Sequence, residues 1–407
     1  MSIDRGIDSP YAWYRLIAGV ALSTIGGVGM WCVVVAFPAL QAEFGVSRAD
    51  VSLAYTLTLV GFGAGSVVMG KLSDRFGIMW PVIGGSALLA TGSAVASLAP
   101  AMAAFTAAQG LLIGVGAAAT FAPLMANMSL WFARRRGIAV AIFASGNYLA
   151  GAIWPPVVAH AITAVGWRAT YLGIAAFVLV SMLPLALCLR RPPPRTDAGG
   201  VLAQPVSSPA ALGLSPSALQ MLLLVAGVAC CVAMAMPQVH LVAYCGDLGY
   251  GPARGAQMLS IMLACGIVSR LVFGVICDRI GGLRTLIIAS AMQGVALFLF
   301  LPFDGLVSLY VISALFGLFQ GGIVPSYAII IREFFPAREA GTRVSAVITA
   351  TLLGMALGGY LSGAIFDLTG SYNAAFVNGI AWNFLNVAIA TFLLRRSLPS
   401  RPAGAMA

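Results

Sequence analysis

Gly70-Lys71-Leu72-Ser73-Asp74-Arg75-Phe76-Gly77 returns 204 positions later as Gly274-Val275-Ile276-Cys277-Asp278-Arg279-Ile280-Gly281. The chain has 407 residues, so that offset is half its length. The same offset carries Arg134 onto Arg338 and Gly137 onto Gly341. Several features that share one offset near half the length indicate two duplicated halves. Each octapeptide closes an apolar run, so the repeated unit is a set of long apolar segments with charged loops between them.

Composition says where such segments live. The chain is 60% hydrophobic, only 8% charged, and has a mean hydropathy of +0.98. A soluble domain carries about 25% charged residues and needs them to cover its surface, so this chain belongs in a bilayer. A helix needs about 20 apolar residues to cross, and twelve stretches qualify: 14–38, 51–70, 79–99, 101–123, 138–163, 169–189, 218–243, 256–276, 284–302, 305–331, 341–365 and 374–394. The first is too long for the core of a cleaved leader and follows Asp4 and Asp8, so it reads as a span.

Twelve crossings put both termini on one side. Of the 22 Lys and Arg residues, 18 fall on that side, Arg48, Arg168 and Arg254 fall on the other, and Arg270 stands alone inside a span. This asymmetry predicts a multi-pass protein of the inner (cytoplasmic) membrane with both termini in the cytoplasm. It also accounts for the net charge of +10 without a nucleic-acid partner. Residues 190–217 open with Arg190-Arg191-Pro192-Pro193-Pro194 and continue in Gly, Ser, Pro and Ala, as a cytoplasmic linker does. The expected organisation is a six-helix bundle over 1–189, the linker over 190–217, and a second six-helix bundle over 218–407. The seven cysteines lie in or beside apolar runs with no CxxC pair, and read as small packing residues.

The Gly-x-x-x-Asp-Arg-x-Gly segment and its repeat resemble the loop signature of the major facilitator superfamily, at the two places where that family carries it. Within the superfamily the chain is similar to the monocarboxylate and oxalate/formate porter branch. The segments that carry this likeness are Trp131-Phe132-Ala133-Arg134-Arg135-Arg136-Gly137, Pro237-Gln238-Val239-His240-Leu241 with Tyr244 and Asp247-Leu248-Gly249, and Arg270. The resemblance implies an all-α membrane protein of twelve transmembrane helices in two pseudo-symmetric bundles, with a substrate site at mid-depth between them. It also implies that Asp74, Arg75, Asp278 and Arg279 act as gating loops, the acid capping a neighbouring helix and the base pairing across the halves. The plainer alternative for those four is that they only set topology.

Arg270 lies eight residues before Asp278, roughly 12 Å deep at 1.5 Å per residue. A guanidinium there costs at least about 2.5 kcal/mol on insertion scales. All twelve acids lie in loops or at span ends, so no carboxylate of the protein is at hand. The natural partner is an arriving anion, which the guanidinium fork can hold through two parallel hydrogen bonds. A structural tie to helix carbonyls is the competing reading. One cation balances one carboxylate. Oxalate porters carry a Lys in the eleventh span, and span 341–365 has none, so a monocarboxylate is favoured over a dicarboxylate. Proton-coupled animal monocarboxylate carriers place an Asp one turn before this Arg, where this chain has Gly266. His240 could titrate in its place, or could be a hydrogen-bonded histidine near its helix end.

The spans that line the cavity in this family make Asn127, Asn147, Tyr148, Gln320 and Tyr327 candidate donors to the substrate, with Trp31 and Tyr55 as walls. Trp154, beside Pro155-Pro156, reads as a bend or an interfacial anchor. Small residues recur every fourth position at Gly110, Gly114, Ala118 and Ala122, and at Ala350, Gly354, Gly358 and Ser362, marking close helix seams. An intramembrane hydrolase is excluded by the lack of HExxH, GxSxG or paired intramembrane acids. No cofactor or metal is implied. The expected protein is therefore a secondary carrier of small carboxylates, working as a monomer in the lipid bilayer. The alternatives are an exchanger of the oxalate/formate type and an exporter of other solutes.

Overall fold

The computed structural model describes residues 6–132, 136–192 and 212–397. Asp4, Arg5, Arg134, Arg135, Arg195, Asp197, Arg401 and the linker positions 193–211, all used above, lie outside the described residues.

The first four helices are α1 (Pro10–Phe44), α2 (Arg48–Phe76), α3 (Met79–Ser97) and α4 (Met102–Met128). The next helical stretch, Arg136–Leu187, counts 52 residues and departs from helical geometry at Gly166 (φ 80°, ψ 161°). At 1.5 Å per residue it would reach about 78 Å, more than twice the roughly 30 Å of bilayer hydrocarbon. It is therefore two crossings, α5 (136–165) and α6 (167–187). Then follow α7 (Pro216–Asp247), α8 (Pro252–Ile280), α9 (Gly282–Leu299), α10 (Leu306–Phe334), α11 (Ala337–Thr369) and α12 (Tyr372–Ser397). All twelve expected crossings are present among the described residues, and both ends of the described chain lie on what is here called the terminal face. The opposite side is the far face.

The backbone repeats the sequence offset. Gly77 (φ 80°) and Gly281 (φ 82°) end α2 and α8, and each N–H donates to a carbonyl four residues back, Ser73 and Cys277, at 2.9 Å. Positive φ is open to glycine at little cost, which is why the last residue of the octapeptide is glycine in both copies. Gly45 with Gly249, and Gly166 with Gly370, are two more positive-φ pairs at the same spacing.

The two small-residue stripes pack inside each set of six helices. Gly110 and Gly114 on α4 press against Leu57 and Thr58 of α2, and Gly354 and Gly358 on α11 press against Val228 and Val232 of α7. A Cβ at Gly354 or Gly358 would reach the α7 backbone, so these positions set interhelical distance. Between the sets, α2 lies on α11, α5 on α8, and α1 on α7. The offset maps α2 onto α8 and α5 onto α11, so the two long seams are copies of each other.

Candidate functional site

Arg270 sits on the α5–α8 seam, 18 residues from the start of α8 and 10 from its end. Its guanidinium carbon lies 4.5 Å from the centroid of the Tyr148 ring on α5. Nη1 donates to the carbonyl of Ala144 at 3.3 Å, while Nε is buried without a partner. No carboxylate pairs with this guanidinium among the described residues. It rests on an aromatic face by a cation–π contact and keeps hydrogen-bonding capacity to spare.

Gly266, one turn earlier on α8, is filled from outside. A Cβ there would overlap the Tyr148 ring, so the glycine leaves room for an aromatic shelf. About one turn beyond Tyr148 on α5, Gly151 receives Leu263 and the Trp31 indole in the same way. Trp31 is buried, and its Nε1 has no partner. Tyr55 is buried on α2 and packs against Gly359 of α11. Asn147, beside Tyr148, is half-buried and makes no hydrogen bond among the described residues.

Three expected donors are committed elsewhere. Asn127 accepts from Arg15 Nη2 at 3.0 Å. Tyr327 is buried and donates to Asn386 Oδ1 on α12 at 2.9 Å. Gln320 Oε1 accepts from Gln238 Nε2 of α7 at 2.6 Å, although its own Nε2 is buried and unpartnered. Tyr327 therefore satisfies a neighbouring helix, as polar groups at hydrocarbon depth must do when no water reaches them, whereas Asn127 holds Arg15 and also lines the cavity that opens on the terminal face. Trp154 is likewise an interhelical tie, donating to the Thr24 carbonyl at 2.7 Å.

The count of intramembrane charges also needs correction. Arg15, read as a charge at the span edge, is fully buried in the second turn of α1. It donates to the Arg191 carbonyl at 3.0 Å and stacks 4.4 Å from the Trp131 ring centroid. It thereby binds the segment after α6 to α1 and α4. A guanidinium can be held by carbonyl, amide and ring together, here with Nε left unpartnered, and the short reach from the helix start keeps this one out of view in the sequence.

On the far face, Arg48 at the start of α2 gathers residues from three helices of the last six. Nη2 pairs with Asp247 at 2.6 Å, Nη1 donates to the Tyr372 hydroxyl at 2.9 Å, and the guanidinium lies 4.8 Å from the Phe366 ring centroid. Asp367 accepts the backbone N–H groups of Arg48 (2.9 Å) and Ala49 (2.7 Å). His240 is fully buried and contacts Tyr372 Oη at 3.1 Å and the Gly359 carbonyl at 2.8 Å. It lies seven residues from the far end of α7, well away from the level of Arg270. Sequence reasoning puts Arg48 on the far side and Asp247 in a segment that carries the family likeness, but gives no contact to either of them or to Asp367 and Tyr372. The available signal is that the far face holds few charges, so those present are apt to pair.

The terminal face differs. Asp74, Arg75, Asp278 and Arg279 are exposed and form no hydrogen bond or ion pair among the described residues, so the gating contacts expected of them are not made here. Arg75 only approaches the ring of Phe76 next to it, 5.2 Å from the centroid. A cavity of about 910 Å³ opens beside the first of these loops, lined by Ser73, Asp74, Asn127, Arg190 and Arg191 among others. Both faces together describe a molecule closed on the far side and unlatched on the terminal side.

Comparison with known proteins follows the same lines. The family model of the Major Facilitator Superfamily matches residues 20–308 and 247–406. The chain is 30% identical over 379 residues to monocarboxylate transporter 13 of Rattus norvegicus, covering 91% of this chain and 86% of that one. It is 28% identical over 331 residues to the MFS transporter asaE of Aspergillus flavus, covering 80% and 73%. Among solved structures, a bacterial homolog of the human lysosomal transporter Spinster superposes with a TM-score of 0.71 at 15% identity, over 95% of this chain and 97% of that one.

Proposed function

The chain belongs to the Major Facilitator Superfamily, and from that premise we propose that it is a secondary carrier of small monocarboxylates, with Arg270 as the clamp for the carboxylate. The observation that carries this reading is a guanidinium inside a transmembrane helix with no acid partner among the described residues and an aromatic shelf under it. Such a cation is costly unless an anion completes it. The relative named as a monocarboxylate transporter, alike over nine-tenths of this chain, points the same way.

In this reading residues 1–189 and 218–407 are two bundles joined by the 190–217 linker, and they rock about the α2–α11 and α5–α8 seams. The terminal face is cytoplasmic, in keeping with the basic residues gathered there. The substrate enters between α5 and α8, displaces the weak 3.3 Å bond to Ala144, and engages the guanidinium in paired hydrogen bonds, with Tyr148 holding the cation's other face. Asn147, Trp31 and the free amide of Gln320 are the neighbouring donors, and Tyr55 is a wall. The loops at 70–77 and 274–281 latch the cytoplasmic side when it closes.

The test is uptake of labelled lactate, pyruvate, formate and longer acids into vesicles containing the purified protein, with counterflow arms that separate exchange from net transport. Arg270→Ala is expected to abolish carboxylate uptake while leaving the protein monodisperse and folded. Arg270→Lys is expected to keep a minor fraction, because a point charge loses the bidentate geometry. Undiminished uptake by Arg270→Ala removes Arg270 from the site. Uptake of neutral or cationic solutes alone, with no carboxylate accepted, overturns the substrate class.

A further inference from the structure

We propose that the far-face cluster of Arg48, Asp247, Asp367, Tyr372 and His240 is a proton-sensitive latch that closes only around a neutral His240. Its hydrogen bonds run in one direction. Arg48 has no acceptor capacity, so Nη1 must donate to the Tyr372 hydroxyl. That leaves the tyrosine's own hydrogen for His240 Nδ1, 3.1 Å away. The Gly359 carbonyl can only accept, so the hydrogen on the imidazole is on Nε2, 2.8 Å from that oxygen. The order Arg48, Tyr372, His240, Gly359 is complete and self-consistent for one tautomer of the neutral ring.

A proton on Nδ1 breaks it. The tyrosine oxygen would face donors from both Arg48 and His240, its own hydrogen would lose its acceptor, and a second cation would stand near the Arg48 guanidinium. The groups that face His240 from each neighbouring helix are the Phe37 ring on α1, Arg48 on α2, the Gly359 carbonyl and Asp367 on α11, and Tyr372 on α12, with Tyr244 and Asp247 on α7 itself. Of these, Asp247 is paired with Arg48 and Asp367 is held by the first N–H groups of α2, so neither hydrogen-bonds the imidazole, although the Asp367 charge partly offsets that of Arg48.

What the relay holds is the seam itself. Gly359 lies against Tyr55 of α2, and a Cβ at Gly363 would overlap Ser52 and the Arg48 carbonyl. Asp367 adds a cap across the halves. It stands in the last turn of its own helix, where the negative end of the helix dipole disfavours a carboxylate, and is relieved by the first N–H groups of α2. Parting α2 from α11 removes that relief, breaks the relay at Tyr372 and Gly359, and opens His240 to the outside, where Nδ1 can take a proton without losing a hydrogen bond. Proton binding therefore favours the far-open state.

The latch can be read without substrate, so its test stands apart from the role given to Arg270. Hydrogen–deuterium exchange is followed at the amides of Arg48 and Ala49 in the full-length protein in lipid nanodiscs, with intrinsic exchange rates divided out at each pH. In the wild-type protein the opening equilibrium is expected to rise by up to about tenfold for each pH unit below the ordinary imidazole value of about 6.5. His240→Gln is expected to flatten that dependence. Tyr372→Phe, which keeps the ring and removes the hydroxyl, is expected to raise exchange already at neutral pH. A wild-type profile flat over this range, an acid response kept in full by His240→Gln, or neutral-pH exchange unchanged in Tyr372→Phe would each overturn the latch.

Discussion

The α2–α11 seam and the α5–α8 seam are copies of one duplicated contact, and they have been put to opposite uses. On α2–α11, glycines at 359 and 363 bring the helices close, and the charges at the far end have partners, Arg48 with Asp247 and Tyr372 although its Nε is unpartnered, and Asp367 with two backbone donors. On α5–α8, Gly266 and Gly151 make room for rings rather than for backbone, and the one charge, Arg270, is left with a long bond to a carbonyl and an unpartnered Nε. The offset carries Ser66 onto Arg270 and Thr163 onto Asp367. Duplication supplied the scaffold twice, and asymmetric placement of a few charges gave one seam an interlocked set of charges and the other a guanidinium with no carboxylate beside it among the described residues.

Substitutions that swap these characters break the comparison. The largest effect is expected from Arg270→Ala, where loss of a buried charge partner is worth about 2–5 kcal/mol, or more than about thirtyfold in uptake. Next is Gly363→Val: its side chain meets Ser52 and the Arg48 carbonyl, so α2 and α11 must separate. Overpacking of this kind costs roughly 1–3 kcal/mol, to be seen as faster amide exchange at Arg48 and Ala49 and slower transport. Gly266→Ala presses on Tyr148 instead. Displacing the ring from under Arg270 forfeits a cation–π contact of about 0.5–2 kcal/mol, and the expected readout is a raised KM for the carboxylate with the far seam unchanged.

Two further effects, on stability and not on transport, lie off both seams and sharpen the contrast. Asn127→Ala deprives buried Arg15 of an acceptor, at a cost of about 1–3 kcal/mol in stability, measured as a lower Tm in detergent with KM unmoved. Tyr327→Phe removes an α10–α12 hydrogen bond, worth on average about 0.6 kcal/mol in membrane helices. A change in KM from either one would return that residue to the substrate path.

Much of this is legible in the sequence because bilayer physics leaves a strong imprint there. Twelve apolar stretches predict twelve crossings, and the octapeptide at 70–77 and 274–281 places the repeat to the residue. Arg270 is visible as a charge with no acid in reach. Tyr148 is an expected donor to the substrate, but its place beneath the guanidinium depends on Gly266 opening opposite it. What the sequence leaves open has one cause. Asn127 and Tyr327 read as cavity donors because a polar side chain inside a span must face something, and sequence does not say whether that something is solute or the next helix. Arg15 reads as a loop charge because it stands near a helix start, and its burial depends on Trp131, Asn127 and the Arg191 carbonyl, each more than a hundred residues away.

Hydrophobic length, the 204-residue repeat and the sidedness of basic residues come from the order of amino acids alone, since each reflects the local cost of placing a residue in lipid or in water. Which polar groups meet was decided only in three dimensions. Arg48 is separated from Asp367 by 319 residues and from Tyr372 by 324, and nothing local to any of them foretells that a carboxylate at the end of one helix will cap the beginning of another. Hydrogen bonds at a helix–helix crossing are fixed by how the helices pack, and that packing is a property of the whole bundle.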